Sequence, residues 1–540
     1  MTPTHERLSF IVDWDRDGTY DHALSNITSY VVRAEWTLGF QEPYQPMGGP
    51  SQLLLTLDND NGAWNVLDSS STFYNVIQGE ALVQIRYSSG TTWYLGTYKT
   101  VGLKIDPGRH GGRYVTLVAQ DWYDDFMSIT YDPPLTTDTH TGDAIRNAFE
   151  DVGVPGFPLG ALNFIVDAST LDETTKLPDY FGEGYINTFQ GQTQLEYVGD
   201  NIDTGSGITL ANFIREMCEA EMVGRWRFQI NTANGRPCYS YYARTTLAEY
   251  ADDGNTHVID TDDFYNATYL YNENLCNWLE VTFYPRAVGD AGTEIAHIES
   301  PLSIPGLGSR VFTLRYRDPS NPDGVCAATT IIQPVASTDY TGNLESDGSG
   351  EDYTSNLVVT VENLTNAAKV TVNNTALGAV YLTLLNIRGT PLTASQPIQL
   401  RSIDGSSTAA YGIRKLTKTV AGVNDEELVQ SYADWFVHNW GQPRAEYRSI
   451  TFDYNEQTDA GLATYVYEPL SDTEPLIITD NWTEGASTPQ SYWVCGMHSV
   501  VQSGVWEVTL ILENYLNMSG YWQVENTILG ILDETTRLAF

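Results

Sequence analysis

Leu82-Val83-Gln84-Ile85-Arg86-Tyr87, a break at Ser89-Gly90, then Trp93-Tyr94-Leu95-Gly96-Thr97-Tyr98 is the stretch that decides the class of the fold. Both runs are short, rich in β-branched and aromatic residues, and separated by turn formers, which is the pattern of strands. Neither is long enough for the i, i+3, i+4 stripe of an amphipathic helix. The same grammar extends in both directions. Leu8 to Val12, Tyr30 to Trp36, Leu53 to Leu57 and Tyr114 to Ala119 are similar runs, parted by Asp17-Gly18, Asn61-Gly62 and Asp106-Pro107-Gly108. Six strands at this spacing between residues 8 and 130 predict a small barrel or sandwich.

Three helices interrupt the β pattern. From about Gly142 to Val152, Ile145, Ala148, Phe149 and Val152 fall on one face, and Gly153 and Pro155 stop the run. From about Leu210 to Met222, Thr209 is a good N-cap, Leu210, Phe213, Ile214 and Met217 form the stripe, and Gly224 ends it. From Asp425 to Trp440, Asn424 and Glu427 resemble a capping box, with Leu428, Tyr432 and Phe436 on one face. Arg225 to Ile230 and Cys238 to Tyr242 flank Asn234-Gly235 and read as a hairpin, which makes 131–255 a small α+β unit.

The remainder returns to strands. Asn277 to Tyr284 is one, and 301–395 is rich in short runs such as Leu357 to Val361 and Val370 to Val372, which predict an inserted β-sandwich. Arg448 to Asp453, Leu476 to Thr479, Tyr492 to Cys495 and Trp506 to Leu512 follow, the last two on either side of Gln502-Ser503-Gly504. The expected fold class is mainly β with minor α+β.

At 540 residues the chain exceeds one ordinary hydrophobic core, so several domains are expected. No apolar run approaches the roughly 20 residues of a membrane-spanning helix. Met1-Thr2-Pro3-Thr4-His5-Glu6-Arg7 lacks the form of a secretory signal, so a soluble protein made in a cytoplasm is expected. Against 69 Asp and Glu stand only 28 Lys and Arg, a formal charge of −41 that disfavours sequence-independent binding to phosphate backbones. Cys218, Cys238, Cys276, Cys326 and Cys495 are widely spaced, with no Cys-x-x-Cys pair, and are expected as free, mostly buried thiols. The eight histidines show no metal-ligand spacing.

One segment does have such spacing. Asp13, Asp15, Asp17 and Asp21 stand at positions 1, 3, 5 and 9 of a loop with Gly18 at position 6, the arrangement that wraps oxygen ligands around Ca²⁺. Position 12, where a bidentate Glu is expected, is Leu24, and the setting is between strands; a solvated Asp-Gly turn is the alternative. Asp58-Asn59-Asp60-Asn61-Gly62 looks similar but reads as a hairpin turn. No Gly-x-Ser-x-Gly elbow, His-Glu-x-x-His or phosphate-binding glycine loop occurs, so no enzyme is expected; a glycosidase pair of carboxylates has no sequence spacing to test. Thirteen Trp and thirty-four Tyr leave a carbohydrate-facing surface open, although Trp226, Trp435 and Trp506 lie in patterns typical of core.

Three groups of segments together resemble the tail-tip and baseplate hub proteins of tailed bacteriophages. The first is Val12 to Gly18, Asn26 to Val31 and Leu55 to Gly62. The second is Val83 to Tyr87, Trp93 to Thr97 and Val115 to Trp122. The third is Tyr492 to Val500 with Trp506 to Leu512. The resemblance implies two tube-like β-barrels, one at 1–130 and one at 256–300 plus 396–540, the latter carrying helix 425–440. It also implies a virion component that assembles as a homotrimer and contacts distal tail, tail tube, tape measure and tail fibre or tip proteins, with DNA passing only transiently through its channel. A distal-tail ring protein and a receptor- or carbohydrate-binding tail protein are the competing readings. No cofactor is implied beyond the Ca²⁺ that the Asp13 loop would hold.

Overall fold

In a computed structural model, the described residues are 7–43, 45–77, 79–88, 92–106, 113–152, 186–188, 194–199, 208–221, 224–230, 235, 237–242, 257–271, 274–420, 422–454, 476–479 and 490–514. The protein is mainly β. Its largest element is a 12-stranded sheet drawn from both ends of the chain. The first six strands are β1 (Leu8–Asp13), β2 (Val31–Gly39), β3 (Gln52–Asp58), β4 (Leu82–Ser88), β5 (Thr92–Asp106) and β6 (Tyr114–Gln120). The others are β7 (His257–Asp260), β8 (Asn266–Tyr271), β9 (Ala445–Asp453), β10 (Leu476–Thr479), β11 (Gln490–Gln502) and β12 (Val505–Asn514).

Pairing runs β1-β4-β5-β6-β3-β2-β11-β12-β9-β8, with β10 on β11 and β7 on β10. The strands alternate as a half-buried sheet requires: in β6, Val115, Leu117 and Ala119 are buried and the residues between them are not. Ser503 and Gly504 adopt φ of 52° and 83°, the left-handed pair that closes a tight hairpin between β11 and β12. Among the described residues no pairing joins β1 to β8, so the path has two ends.

Asp58 to Gly62 is not a hairpin turn. The next rung beyond β3 belongs to β6, and the chain leaves the sheet through turns that its polar side chains hold. Asp58 accepts from the Asp60 amide (2.9 Å), Asn59 from that of Trp64 (2.9 Å) and Asn61 from that of Ala63 (3.0 Å). Asn and Asp satisfy local backbone donors as readily in an irregular loop as in a hairpin.

The three expected helices form at α1 (Thr141–Val152), α2 (Leu210–Ala220) and α3 (Glu426–Trp440). The stopping signals proposed for α1, Gly153 and Pro155, and the Asn234 half of the hairpin turn lie outside the described residues. Thr209 caps α2, accepting from the Asn212 amide at 3.3 Å. In α3 the cap is Asp425 rather than Asn424: its carboxylate accepts from the amides of Glu427 (2.9 Å) and Leu428 (3.2 Å). Asn424 is drawn away by tertiary partners, accepting from the Arg286 amide at 2.8 Å and donating to Glu196 at 2.6 Å. The buried face of α3 is wider than the expected stripe and includes Val429, Ala433, Trp435, Val437 and Trp440 beside Tyr432.

Strands Arg225–Ile230 and Pro237–Tyr242 form the expected hairpin, with α1 and α2 packed in the same core. Phe149 stacks on Trp226 at 5.6 Å and Trp226 on Tyr239 at 5.5 Å. Trp226, Trp435 and Trp506 are all buried, as their patterns predict, and the thiols of Cys218, Cys276, Cys326 and Cys495 are free and buried. The Cys238 side chain lies outside the described residues.

A second, separate core lies within 286–394. Its spine is the 15-residue strand Val380–Ala394. Arg286–Val288, Thr293–His297 and Leu302–Ile304 pair along one edge, and Ala327–Ile332 and Tyr340–Asn343 along the other. A three-stranded sheet of Ser309–Arg315, Ala367–Asn374 and Leu357–Asn363 contributes Leu357, Val359, Val361, Val370 and Val372 to the same core. The expected boundary at 300/301 therefore falls inside this unit, because Ile295 and Ala296 are buried in it. Trp278–Phe283 likewise pairs outside the large sheet, between Ile398–Ile403 and Lys415–Val420. Among the described residues no helix is long and apolar enough to cross a membrane.

Candidate metal centre and the seam of the large sheet

The loop after β1 is tied at its base. Val12 donates its amide to the Ser25 carbonyl (2.8 Å), Ile27 to that of Phe10 (3.0 Å), and the buried Trp14 donates its indole N–H to the Leu24 carbonyl (2.9 Å). Between these ties the backbone folds back on itself, with Arg16 at φ 56° and Gly18 at φ 84°. This brings Asp13, Asp15 and Asp17 together: one carboxylate oxygen from each lies within 4.8 Å of the other two. Asp21 stands outside this trio, its carboxylate 3.1 Å from the Thr19 hydroxyl oxygen.

The three carboxylates have different environments. Asp13 is fully buried; its Oδ2 accepts from the Gly18 amide at 3.0 Å, while its Oδ1 is buried with no hydrogen-bond partner. Burial pushes the Asp13 carboxyl above its ordinary range, opposed by the backbone amides of Gly18, Asp17 and Arg16. Leaving such an acceptor unsatisfied costs about 1–3 kcal/mol. Asp17 is exposed, and the Thr19 hydroxyl and amide, both on its Oδ1, hold it below the usual carboxylate range. The cation within the loop does not neutralise the trio, since the Arg16 guanidinium reaches Gly79 (3.4 Å) and Glu80 (3.7 Å).

The second feature is the seam between β2 and β11, where the two halves of the large sheet meet over Arg33↔Gln502 to Gly39↔Gly496. Glycines are required there. A Cβ on Gly496 would lie 1.8 Å from the Phe40 carbonyl oxygen, and one on Gly39, at φ 70°, would lie 2.4 Å from that of Cys495. Trp36 and Trp506 meet across the seam at 5.9 Å, and Tyr454 packs on Trp506 at 4.3 Å.

The hairpin 225–242 braces the seam from behind. The Arg225 guanidinium and Glu513 carboxylate form a buried ion pair at 2.7 Å. Arg227 donates to the Val494 carbonyl at 2.8 Å and lies 4.9 Å from the Trp493 ring. At the far end of the hairpin, the Gly235 carbonyl accepts from Thr97 (2.7 Å) and Gln84 (3.2 Å) of the first six strands. Nearby, buried Asp121 accepts from the amides of Ser51 and Tyr123, each at 2.9 Å, and burial pushes its carboxyl up to about 7. None of Arg225, Arg227, Glu513 and Asp121 was legible as a structural pivot in the sequence. Their partners lie 267 or 288 residues away for the arginines, and no local spacing marks such a pair.

The chain matches no protein-family model and no curated protein. Among solved structures, it is similar to the 43 kDa tail protein of prophage MuSo2 from Shewanella oneidensis, with 9% identity over 94% of this chain and 99% of that one, at a TM-score of 0.43. The tail protein from Neisseria meningitidis MC58 matches with 9% identity over 94% and 97% of the two chains, at 0.44. The Francisella PdpA-VgrG complex in its half-lidded form matches with 8% identity over 95% of this chain and 58% of that chain, at 0.39.

Proposed function

We propose that this chain is a tail-tip or baseplate hub of a tailed bacteriophage, a structural virion protein whose work is assembly rather than catalysis. As a homotrimer it closes the tail tube, joins distal tail, tube and tape measure proteins to the fibre or tip proteins, and later lets DNA pass. The observation that carries this reading is the composition of the large sheet. Among the described residues, six of its strands come from 8–120 and six from 257–514, and they meet edge to edge at β2 and β11.

Each six-strand set is read as one tube-like wall unit, so one chain supplies two such units and three chains supply six. That count would let a threefold tip sit on a sixfold tube. Free strand edges favour pairing with another chain, and β1 and β8 stand at the two ends of the path. β8 is also exposed, with Tyr265 just before it and Tyr271 at its end 58% and 70% accessible. The hairpin 225–242 stiffens the wall from behind, while α3 packs on the separate sheet that holds Trp278–Phe283 and Ile398–Ile403. The charge of −41 suits a channel that DNA must traverse without adhering.

The mass of the purified chain in solution tests the reading. A species of three times 60.0 kDa is expected, and in assembled particles three copies per tail. Six copies per tail would favour the distal-tail ring instead. A neutral or basic channel lining in the assembled ring would remove the proposed role of the acidic surplus.

A further inference from the structure

We infer that the loop Asp13–Asp21 is a calcium site, with Asp13 Oδ1 and the carboxylates of Asp15 and Asp17 as side-chain ligands. Three observations converge on it. The three carboxylates approach within 4.8 Å of one another, close enough for a single ion with oxygen ligands at about 2.3–2.6 Å. The two oxygens of Asp13 are divided in their roles, Oδ2 being taken by the Gly18 amide and Oδ1 left buried without a partner. Asp17 is divided in the same way, with Thr19 on Oδ1 and Oδ2 remaining for a ligand.

The chemistry selects a hard divalent cation. All side-chain donors are carboxylate oxygens, no thiol or imidazole joins the group, and the two exposed ligands leave room for water in the remaining positions. A monovalent cation would leave most of the charge of three carboxylates uncompensated, and the loop's own Arg16 is directed toward Glu80. The site sits where β1, an end strand of the large sheet, passes into the return segment that bridges back through Asn26 to Ile11. Occupancy therefore ties down the edge of the sheet. The inference is independent of the assembly role proposed above, since it concerns the isolated chain.

The test uses the full-length protein stripped with EDTA. CaCl₂ is added with isothermal titration and thermal melting as readouts, and terbium luminescence is excited through Trp14, which occupies the second position of the loop. Expected are one saturable site with a dissociation constant of roughly 10⁻⁵–10⁻³ M, a higher melting temperature with calcium, and terbium emission that calcium displaces. Asp15→Asn, at an exposed position, should not lower the calcium-free melting temperature, because it relieves repulsion among the three carboxylates, and should weaken binding at least tenfold. Absence of a saturable site at millimolar calcium, or unchanged binding in Asp15→Asn, overturns the assignment.

Discussion

Asp121 shows what a single buried carboxyl does to this fold. It joins Ser51, ahead of β3, to the start of the short helix Tyr123–Ser128 that follows β6, and its carboxyl is pushed from an ordinary value near 3.8 up to about 7 by burial. The folded state therefore holds this proton more tightly than the unfolded chain between those two values. The associated stability is fully present below about pH 4 and is lost as pH rises through 7. Raising a carboxyl from near 3.8 to about 7 corresponds to something on the order of 4 kcal/mol. Asp121→Asn, which cannot ionise, should remove this component. The stability gap between wild type and variant should narrow between pH 5 and pH 8 in denaturant titrations; a gap that stays constant would show that Asp121 does not titrate there. The left-handed Gly18 and the close approach at Gly496 are similar cases of one position deciding a local path. The first is legible from the Asp-Gly pair, whereas the second is set by a strand more than 400 residues away.

At the scale of elements, the decisive contact is the hairpin 225–242 against β11 and β12. Arg225 and Glu513 are both buried, so neither can be released to water if its partner is lost. Glu513→Ala should cost about 3–5 kcal/mol, while the double replacement Arg225→Met with Glu513→Leu should cost distinctly less, because it leaves no buried charge behind. Equal losses in the single and double variants, measured by urea unfolding, would mean that the pair does not act as a unit. The helices tell a related story. Apolar periodicity located all three, but the start of α3 shifted by one residue because Asn424 was claimed by Arg286 and Glu196, contacts no local window contains. The irregular loop after β3 departed from its hairpin reading for the same reason, since β6 occupies the rung that a returning strand would have needed.

At the scale of the whole molecule, the described residues form two hydrophobic cores, and the smaller is confined to 286–394 apart from its edge contacts. Its entry and exit are adjacent, because Phe283 pairs with Ile398 and Arg286 with Ala394. Replacing 286–394 by a short turn should therefore leave the remaining chain folded, losing minor ties such as the Leu135 amide to Thr365 (3.2 Å). Circular dichroism and a cooperative melt within a few degrees of the full chain are the expected outcome. Loss of cooperative unfolding would show that the insertion supports the large sheet.

The amino-acid sequence by itself determined the strand class, the six strands of 8–120, the three helices and the clustered aspartates after β1. Each depends on neighbours within a dozen residues, through side-chain alternation, capping or loop spacing. Only the tertiary structure decided that the strands of the two chain ends share one sheet, that residues 286–300 belong to the second core, and that Asp21 stands apart from Asp13, Asp15 and Asp17. Strand partners are chosen by hydrogen-bond edges and buried faces that meet only after folding. Their sequence separation, reaching 469 residues between Arg33 and Gln502, leaves no trace in local pattern.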